Sequence, residues 1–209
     1  MMSEVIKIID ATKDIIRYEK YLYKCLSPMP FRKYRNREKY LKFAIQKGLH
    51  KKILLFNGTA VGQIEYAPAD SSAYPIFGDK IIVMNCIWVL RKAKGHNFGK
   101  LLFNEMLKDA REATGIATIA LENHWSPWFK KKHMEMFGFR AIDMIQVRHK
   151  RKHTDRCFKV YLMWLPLSNN KVVPQWDKKK MLMDFDFCVA HPLYRPKFIE
   201  KEDNIMELC

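Results

Sequence analysis

The chain has little glycine, no paired cysteine motif and no long apolar run. Its 209 residues include 8 glycines and 5 cysteines, and no two cysteines form a Cys-x-x-Cys pair. This spacing excludes that type of redox or zinc motif and predicts reduced thiols, as in a cytoplasmic protein. No apolar segment approaches the ~20 residues that span a bilayer, and the N-terminus lacks the apolar stretch of a secretory signal. We therefore expect a cytoplasmic protein that does not cross a membrane.

Acidic residues are also few, with 22 Asp and Glu against 38 Lys and Arg, for a formal net charge of +16. Such a charge suits nucleic acid, an acidic partner or a polyanionic cofactor. The densest basic stretch, residues 148–153, lies between two strand-like runs at 141–147 and 156–165. That position favours a solvated hairpin loop over a nucleic-acid contact, so nucleic acid is the less favoured partner without being excluded.

Strand-like and helix-like segments alternate along the chain, which predicts a single α/β domain with an extension. Residues 5–9 predict a first strand, and residues 14–26 and 35–47 predict two helices. Residues 52–56 and 61–66, joined by Asn57-Gly58, predict a hairpin. Residues 67–78, with two prolines, predict a loop.

The segment with the most chemical information runs from Ile81 to Met106. An apolar run ending at Leu90 leads into a basic loop with two glycines, and a helical pattern follows at once. A strand, a glycine-bearing loop and a helix N-terminus point several backbone N–H groups at one anion. An ordinary turn with a helix cap explains two glycines equally well. A Walker loop is excluded because no hydroxyl follows Lys100, and a dinucleotide fingerprint because the third glycine is missing.

This segment resembles the central motif of the GNAT superfamily of acyl-CoA N-acyltransferases, Val-x-Pro-x-x-Arg/Gln-Gly-x-Gly-x-Gly/Ala. Val89, Lys94, Gly95 and Gly99 match it, Arg91 replaces the common proline, and Asn97 replaces the middle glycine. Asparagine tolerates the left-handed backbone better than most residues. Phe137-Gly138-Phe139 resembles the Gly-Phe signature of the same family, and the resemblance spans roughly residues 5–165.

The resemblance implies a mixed α/β fold, with a splayed central sheet, over residues 1–165, followed by a C-terminal extension over residues 166–209. It implies acetyl-CoA as the acyl donor, paired along the splayed strand and held at its phosphates by the loop. The cofactor-binding residues implied are Ile87, Trp88, Val89, Lys94, Gly95, His96, Asn97, Phe98, Gly99, Lys100, Phe129 and Lys132.

The reaction implied is direct attack of a primary amine on the acyl thioester, with a small molecule or a peptide as the acceptor. The family usually has a tyrosine four residues before the glycine of the Gly-Phe signature, and here Met134 stands there. His133 should point about 100° away on a helix, so Tyr66 or a water is the candidate proton donor. Cys86 has no neighbour in sequence that would make it a thiolate.

Glu65 is the candidate general base, on the expectation that burial at a strand end raises its pKa. The alternative is a solvated strand residue. Asn85 is a candidate for orienting a water or the substrate.

Trp125, Trp128 and Phe129 are candidates for the wall of the acyl pocket, and core packing explains them equally well. His149 and His153 are four residues apart, but the basic residues between them argue against zinc, and we predict no metal site.

In the extension, Met181, Met183, Phe185, Phe187 and Val189 alternate with other residues, which predicts a half-buried strand. We expect its apolar face to pack on the domain or, in a homodimer, on a second subunit. Two functions remain open: an N-acetyltransferase, or a non-catalytic acyl-CoA-binding or RNA-associated module of the same fold.

Overall fold

The computed structural model describes residues 4–23, 25–26, 35–151, 153–169, 172–183, 188, 191–193 and 204–209. The helices are α1 (Ile15–Leu22), α2 (Arg35–Gln46), α3 (Phe98–Asp109), α4 (Lys131–Met136) and α5 (Lys178–Met181). The strands are β1 (Ile6–Asp10), β2 (His50–Phe56), β3 (Thr59–Pro68), β4 (Ile76–Phe77), β5 (Ile81–Val89), β6 (Gly115–Glu122), β7 (Arg140–His149), β8 (Phe158–Pro166), β9 (Gln175–Trp176) and β10 (Met206–Leu208).

Eight of these strands form one mixed sheet in the order β1-β2-β3-β5-β6-β8-β7-β10, and β4 and β9 form a separate pair. Neighbouring strands are antiparallel except β5 and β6, which are parallel. Helix α3 packs on β2, β3 and β5, while Leu22 of α1 and Leu41 of α2 share a second apolar cluster with Ile53. The predicted mixed α/β fold is confirmed.

The predicted hairpin is confirmed and consists of β2 and β3. Both turn residues have positive φ, 47° at Asn57 and 77° at Gly58. Asparagine and glycine are the residues that accept this conformation, which explains why the Asn-Gly pair was a reliable signal.

The sheet opens between β5 and β6. The two strands pair only from Ile81–Gly115 to Val83–Ala117, although β5 continues to Val89 and β6 to Glu122. On the other side of β5, the register with β3 shifts, so that Glu65 pairs with Cys86 and Tyr66 pairs with Met84. Asn85 is therefore the extra residue of a β-bulge. The splay that the resemblance implied is present.

The C-terminal extension differs from its prediction. Met181 ends helix α5 and Met183 follows in a turn, so the predicted strand is wrong at these residues, while residues 184–187 and 189–190 lie outside the described part of the chain. Asp177 starts the helix, because its side chain accepts hydrogen bonds at 3.0 Å from the backbone N–H groups of Lys179 and Lys180. The strands of the extension are instead β9 and β10.

The expectation that every cysteine is a reduced thiol is also wrong. Cys157 and Cys209 form a disulfide across a sequence separation of 52 residues. Strand β10 pairs with the outer edge of β7, and this pairing brings the last residue beside the start of β8. In the described residues, no helix has the length and apolar character needed to cross a membrane.

Candidate active site

A cavity of about 1120 Å³ lies beside the splayed part of β5, between α3 and α4. Apolar side chains form most of its wall, and basic side chains surround its mouth. Its lining residues are Ile87, Trp88, Val89, Leu90, Arg91, Lys92, Lys94, Asn97, Gly99, Lys100, Phe103, Asn104, Leu107, Pro127, Trp128, Phe129, His133, Met134, Met136 and Phe137. This volume and composition suit a large ligand with one apolar and one anionic part.

The loop before α3 leaves the start of that helix open toward the cavity. Gly95 has φ 95°, and Asn97, the N-cap, has φ 56° and ψ 23°, so the asparagine adopts the left-handed backbone that was expected of it. The side chain of Asn97 makes no capping hydrogen bond within the described structure. The N–H groups of the first helical turn are therefore available to an anion.

Gly99 lies on the cavity wall in this first turn. A Cβ placed there would lie 3.7 Å from Cζ of Phe137, which is an ordinary contact. A methyl group therefore fits at this position, whereas a larger side chain would extend into the cavity. The space in front of the helix N-terminus depends on the small size of residue 99.

Eight of the predicted cofactor-binding residues line this cavity, and four do not. Ile87, Trp88, Val89, Lys94, Asn97, Gly99, Lys100 and Phe129 are on the wall, whereas Gly95, His96, Phe98 and Lys132 are not. Phe98 is buried in the core, and the exposed His96 ring stacks on it with centroids 5.0 Å apart. The contacts of all twelve residues with a cofactor stay predictions.

Several wall residues were not among those predicted from the sequence, although the spacing of residues along α3 indicates two of them. Phe103 and Leu107 follow Gly99 at intervals of four residues, so they lie on the same face of α3. Trp128 and Phe129 line the wall, but Trp125 is 43% exposed and stacks on His124 instead. Phe129 has φ 42°, an unusual backbone conformation for an aromatic residue.

Trp88 carries an unsatisfied donor beside this wall. Its indole Nε1 is the only buried side-chain nitrogen or oxygen atom of the described residues without a hydrogen-bond partner. A buried donor of this kind costs about 1–3 kcal/mol. Together with the open helix N-terminus, it fits a wall built to receive a polar ligand.

Glu65 does not have the raised pKa that was expected. It is 2% exposed on the face of the sheet that carries α1 and α2, where Arg37 Nη2 lies 2.6 Å and Lys51 Nζ 3.8 Å from its Oε2. Burial alone would raise the pKa of Glu65, but these two cations outweigh it and lower the pKa. The carboxylate is therefore a weak base, and the alternative of a solvated strand residue is wrong too.

Lys51 shares this buried cluster. Burial and the charge of Arg37 lower the pKa of Lys51 to about 8, although Glu65 opposes the shift. Both cations reach the carbonyl oxygen of Leu22, from Arg37 Nε at 2.8 Å and from Lys51 Nζ at 3.4 Å. The cluster therefore ties the end of α1 to α2, β2 and β3.

Tyr66 and Asn85, the other predicted catalytic residues, are both outside the cavity wall. Tyr66 faces α3, where its hydroxyl donates to Asp109, and burial keeps its pKa above the ordinary value. Asn85 is fully buried, donates from Nδ2 to the hydroxyl oxygen of Tyr40 at 2.8 Å, and accepts at Oδ1 from the Ala73 N–H. Neither side chain is placed to reach a ligand in the cavity.

Met134 and His133 both line the cavity, although adjacent residues of a helix point about 100° apart. Met134 is buried, whereas His133 is exposed at the mouth. Partial burial, followed by the charges of Lys132 and Lys94, lowers the pKa of His133. Its imidazole is therefore neutral near pH 7.

Cys86 is buried on the opposite face of β5. Burial raises the pKa of the Cys86 thiol to about 12, and the cysteine lies outside the cavity wall. It is therefore not a thiolate nucleophile at neutral pH.

His149, one of the two histidines considered as zinc ligands, contacts a third histidine, His124. His149 is buried and its Nε2 lies 3.2 Å from Nε2 of His124, which accepts the Ser126 N–H at Nδ1. A neutral His124 with an acceptor at Nδ1 carries its proton on Nε2, so it donates to His149. This contact is a hydrogen bond between two buried rings.

Comparison with known proteins agrees with this geometry. The model of the acetyltransferase (GNAT) family matches residues 19–139. The chain belongs to this family. YoaP of Bacillus subtilis (strain 168), described as an uncharacterized N-acetyltransferase, is 29% identical over an alignment of 144 residues, and the match covers 65% of this chain and 54% of YoaP. The chain thus spans about half the length of this curated relative.

Solved structures of GNAT proteins share the fold. The ribosomal-protein-S18-alanine N-acetyltransferase of Escherichia coli superposes with a TM-score of 0.52 at 12% identity, covering 80% of this chain and 96% of the enzyme. Arabidopsis thaliana Naa50, in complex with the bisubstrate analogue CoA-Ac-MVNAL, gives a TM-score of 0.50 at 18% identity, covering 77% of this chain and 97% of Naa50. At these identities the likeness shows the fold alone.

Proposed function

We propose that this GNAT protein transfers the acetyl group of acetyl-CoA to a primary amine by direct attack. The observation that carries the proposal is the opening of the sheet after Val83 and Ala117 onto a large cavity with an open helix N-terminus. In this arrangement one ligand lies along an unpaired strand edge and places its anionic part at the helix start.

Coenzyme A combines an anionic diphosphate with a long, less polar arm, and the cavity offers a basic mouth and an apolar wall. The backbone N–H groups around Asn97 and Gly99, with Lys94 and Lys100, would hold its diphosphate, because a helix N-terminus and lysines favour negative charge. Ile87 to Val89 would pair with the amide-containing arm, and the apolar wall would exclude water. Bound acetyl-CoA supplies an acetyl thioester.

His133 is our candidate for the proton acceptor. Among the described residues of the wall it is the one titratable side chain that is neutral near pH 7, since the others are lysines and an arginine. A neutral imidazole accepts the proton that the amine must lose. The amine nitrogen then bonds to the acetyl carbon, the carbon–sulfur bond breaks, and the sulfur leaves as a thiolate, which needs little help from an acid.

The acceptor is a small-molecule or a peptide amine. Naa50, whose fold this chain shares, is bound to an analogue that joins CoA to a peptide, and this supports a peptide amine without selecting it. We place the protein in the cytoplasm, where acyl-CoA is available.

The test is release of free CoA thiol when the purified protein is incubated with acetyl-CoA and a panel of amines. The panel contains polyamines, amino acids, peptide N-termini and lysine peptides. Amine-dependent thiol release supports the proposal. Binding of acetyl-CoA without turnover across the panel, or salt-sensitive RNA binding in its place, would favour the non-catalytic module to which the charge of +16 points.

A further inference from the structure

A chain of hydrogen bonds joins the C-terminal extension to the bulge of β5. The ring of His191 is buried, and its Nε2 lies 3.2 Å from the hydroxyl oxygen of Tyr74. That hydroxyl donates at 2.8 Å to the backbone carbonyl of Asn85. This series of hydrogen bonds therefore begins in the extension, passes through the segment between β3 and β5, and ends on the strand that borders the cavity.

The direction of each hydrogen bond in this chain is fixed by its neighbours. The Leu193 N–H donates to Nδ1 of His191 at 3.0 Å, so that nitrogen carries no proton. Burial holds the pKa of His191 well below its ordinary value, and the neutral ring then has its proton on Nε2. Nε2–H donates to the oxygen of Tyr74, and the Tyr74 hydroxyl donates to Asn85.

The receiving carbonyl occupies a special position in the sheet. Asn85 is the extra residue of the β-bulge, and it lies beyond Val83, where the pairing of β5 with β6 ends. A buried carbonyl that loses its strand partner must find another donor. Tyr74 supplies that donor and so fixes the peptide group that leads into Ile87 to Val89 on the cavity wall.

The same histidine also supports the wall from behind. The rings of His191 and Trp128 contact each other in an edge-on arrangement with centroids 4.3 Å apart, and Trp128 lines the cavity. Two parts of the wall, the splayed strand and the segment before α4, therefore rest on one residue of the extension.

We infer that His191 and Tyr74 are positioning residues, through which the C-terminal extension sets the geometry of the splayed strand for acyl transfer. This inference rests on the proposed function. The extension then contributes to the geometry of the active site and does more than pack on the domain. The diphosphate site that we propose at Gly99 lies on another element, α3. Loss of the hydrogen bonds from His191 to Asn85 should therefore lower turnover more than it lowers affinity for acetyl-CoA.

The experiment compares five variants of the full chain, one of which is the double variant Tyr74→Phe/His191→Phe. Tyr74→Phe removes the hydroxyl, His191→Phe removes the ring donor while keeping an aromatic ring against Trp128, and His191→Gln restores an N–H donor. Trp176→Phe is the matched control, because it removes a ring N–H bond of the extension, to Asp143 at 2.9 Å, that does not lead to β5. The measurements are kcat with an accepted amine, the Kd of acetyl-CoA, and hydrogen exchange of residues 84–89.

We expect Tyr74→Phe and His191→Phe each to lower kcat about 10-fold, since a small misplacement of reacting groups is costly, and to change the Kd less than about threefold. Exchange of residues 84–89 should quicken in both variants. His191→Gln should recover most of the loss, Trp176→Phe should resemble the wild type, and the double variant Tyr74→Phe/His191→Phe should be no worse than Tyr74→Phe.

Unchanged kcat and unchanged exchange in His191→Phe would overturn the inference, and so would an equal loss in Trp176→Phe. If Tyr74→Phe does not fold, the comparison of His191→Phe with His191→Gln decides the question. A wild-type protein that acetylates no amine overturns the proposed function, and exchange of residues 84–89 still reports whether the chain of hydrogen bonds holds the strand.

Discussion

Val83 and Ala117 are the last paired residues of β5 and β6, and beyond them the two strands separate. Thr118 stabilises this fork between the two strands, because its hydroxyl donates a hydrogen bond at 2.8 Å to the carbonyl oxygen of Met84. The cavity, the loop and the open helix start all lie on the far side of this fork.

Replacement of Gly99 by tryptophan should abolish coenzyme A binding. The large side chain would occupy the space in front of the α3 N-terminus, where we place the diphosphate. Calorimetric titration with CoA measures the effect. Gly99→Ala is the control, because its Cβ makes only the ordinary 3.7 Å contact with Phe137, and it should bind CoA within about threefold of the wild type. Normal affinity in Gly99→Trp would remove the loop from the binding site.

The pH dependence of turnover should contain a limb that belongs to His133. Because its pKa is lowered, the neutral base is present at pH 7 and is lost only as the pH falls through the lowered pKa, below about 6.5. His133→Ala should reduce kcat by about 100-fold, in the range of general-base catalysis, and should remove the acidic limb. His153→Asn is the control, since His153 is exposed and asparagine accepts its φ of 50°. An acidic limb that survives in His133→Ala would assign the base elsewhere.

Glu65→Gln should destabilise the fold by about 3–5 kcal/mol, because it removes the buried carboxylate that both Arg37 and Lys51 contact. Urea unfolding measures this change. Glu38→Gln is the control and should cost at most about 0.5 kcal/mol, since its ion pair with Lys42 is exposed on α2.

The ion pairs of Glu65 also predict how the stability of the fold depends on pH. The folded pKa of Glu65 is below the unfolded value of about 4.3. Its contribution to stability is therefore complete above that value and declines as the pH falls through the folded pKa. Wild-type stability should fall in that window, while Glu65→Gln should show less of the decline. Parallel curves for the two proteins would contradict the ion-pair assignment.

Cys209→Ser should lower the free energy of unfolding by about 2–4 kcal/mol, because the disulfide with Cys157 closes a long loop in the unfolded chain. Denaturant unfolding with and without a reductant measures the loss. The reductant should destabilise the wild type and leave Cys209→Ser unchanged. A wild-type protein that is insensitive to the reductant would mean that the two cysteines are not bonded.

Local sequence signals predicted the hairpin and the backbone of the glycine-bearing loop. Asn57-Gly58 and Asn97 adopt the backbone expected of them because positive φ is a property of the residue and its immediate neighbours. The spacing of Gly99, Phe103 and Leu107 on one helix face is local in the same sense. The resemblance of this motif to the GNAT family then implied that the cofactor lies along β5 and the start of α3.

Long-range contacts decided the rest. The pKa of Glu65 depends on Arg37 and Lys51, which other elements bring to within hydrogen-bonding or ion-pair distance. The reading of Met181 and Met183 as a strand failed because a helix cap at Asp177 outweighed an alternating pattern. The disulfide could not be predicted from the sequence, since it is the long-range pairing of β10 with β7 that brings Cys209 to Cys157.

By itself, the sequence determined the main strands and helices before residue 166, the glycine-bearing loop and the family, because each depends on residue types within short windows. Only the tertiary structure decided which charges are paired, which wall residues face the cavity, and that His191 reaches Asn85 through Tyr74. Hydrogen bonds and ion pairs act over a few ångströms in space, whatever the distance along the chain, so no local pattern encodes them.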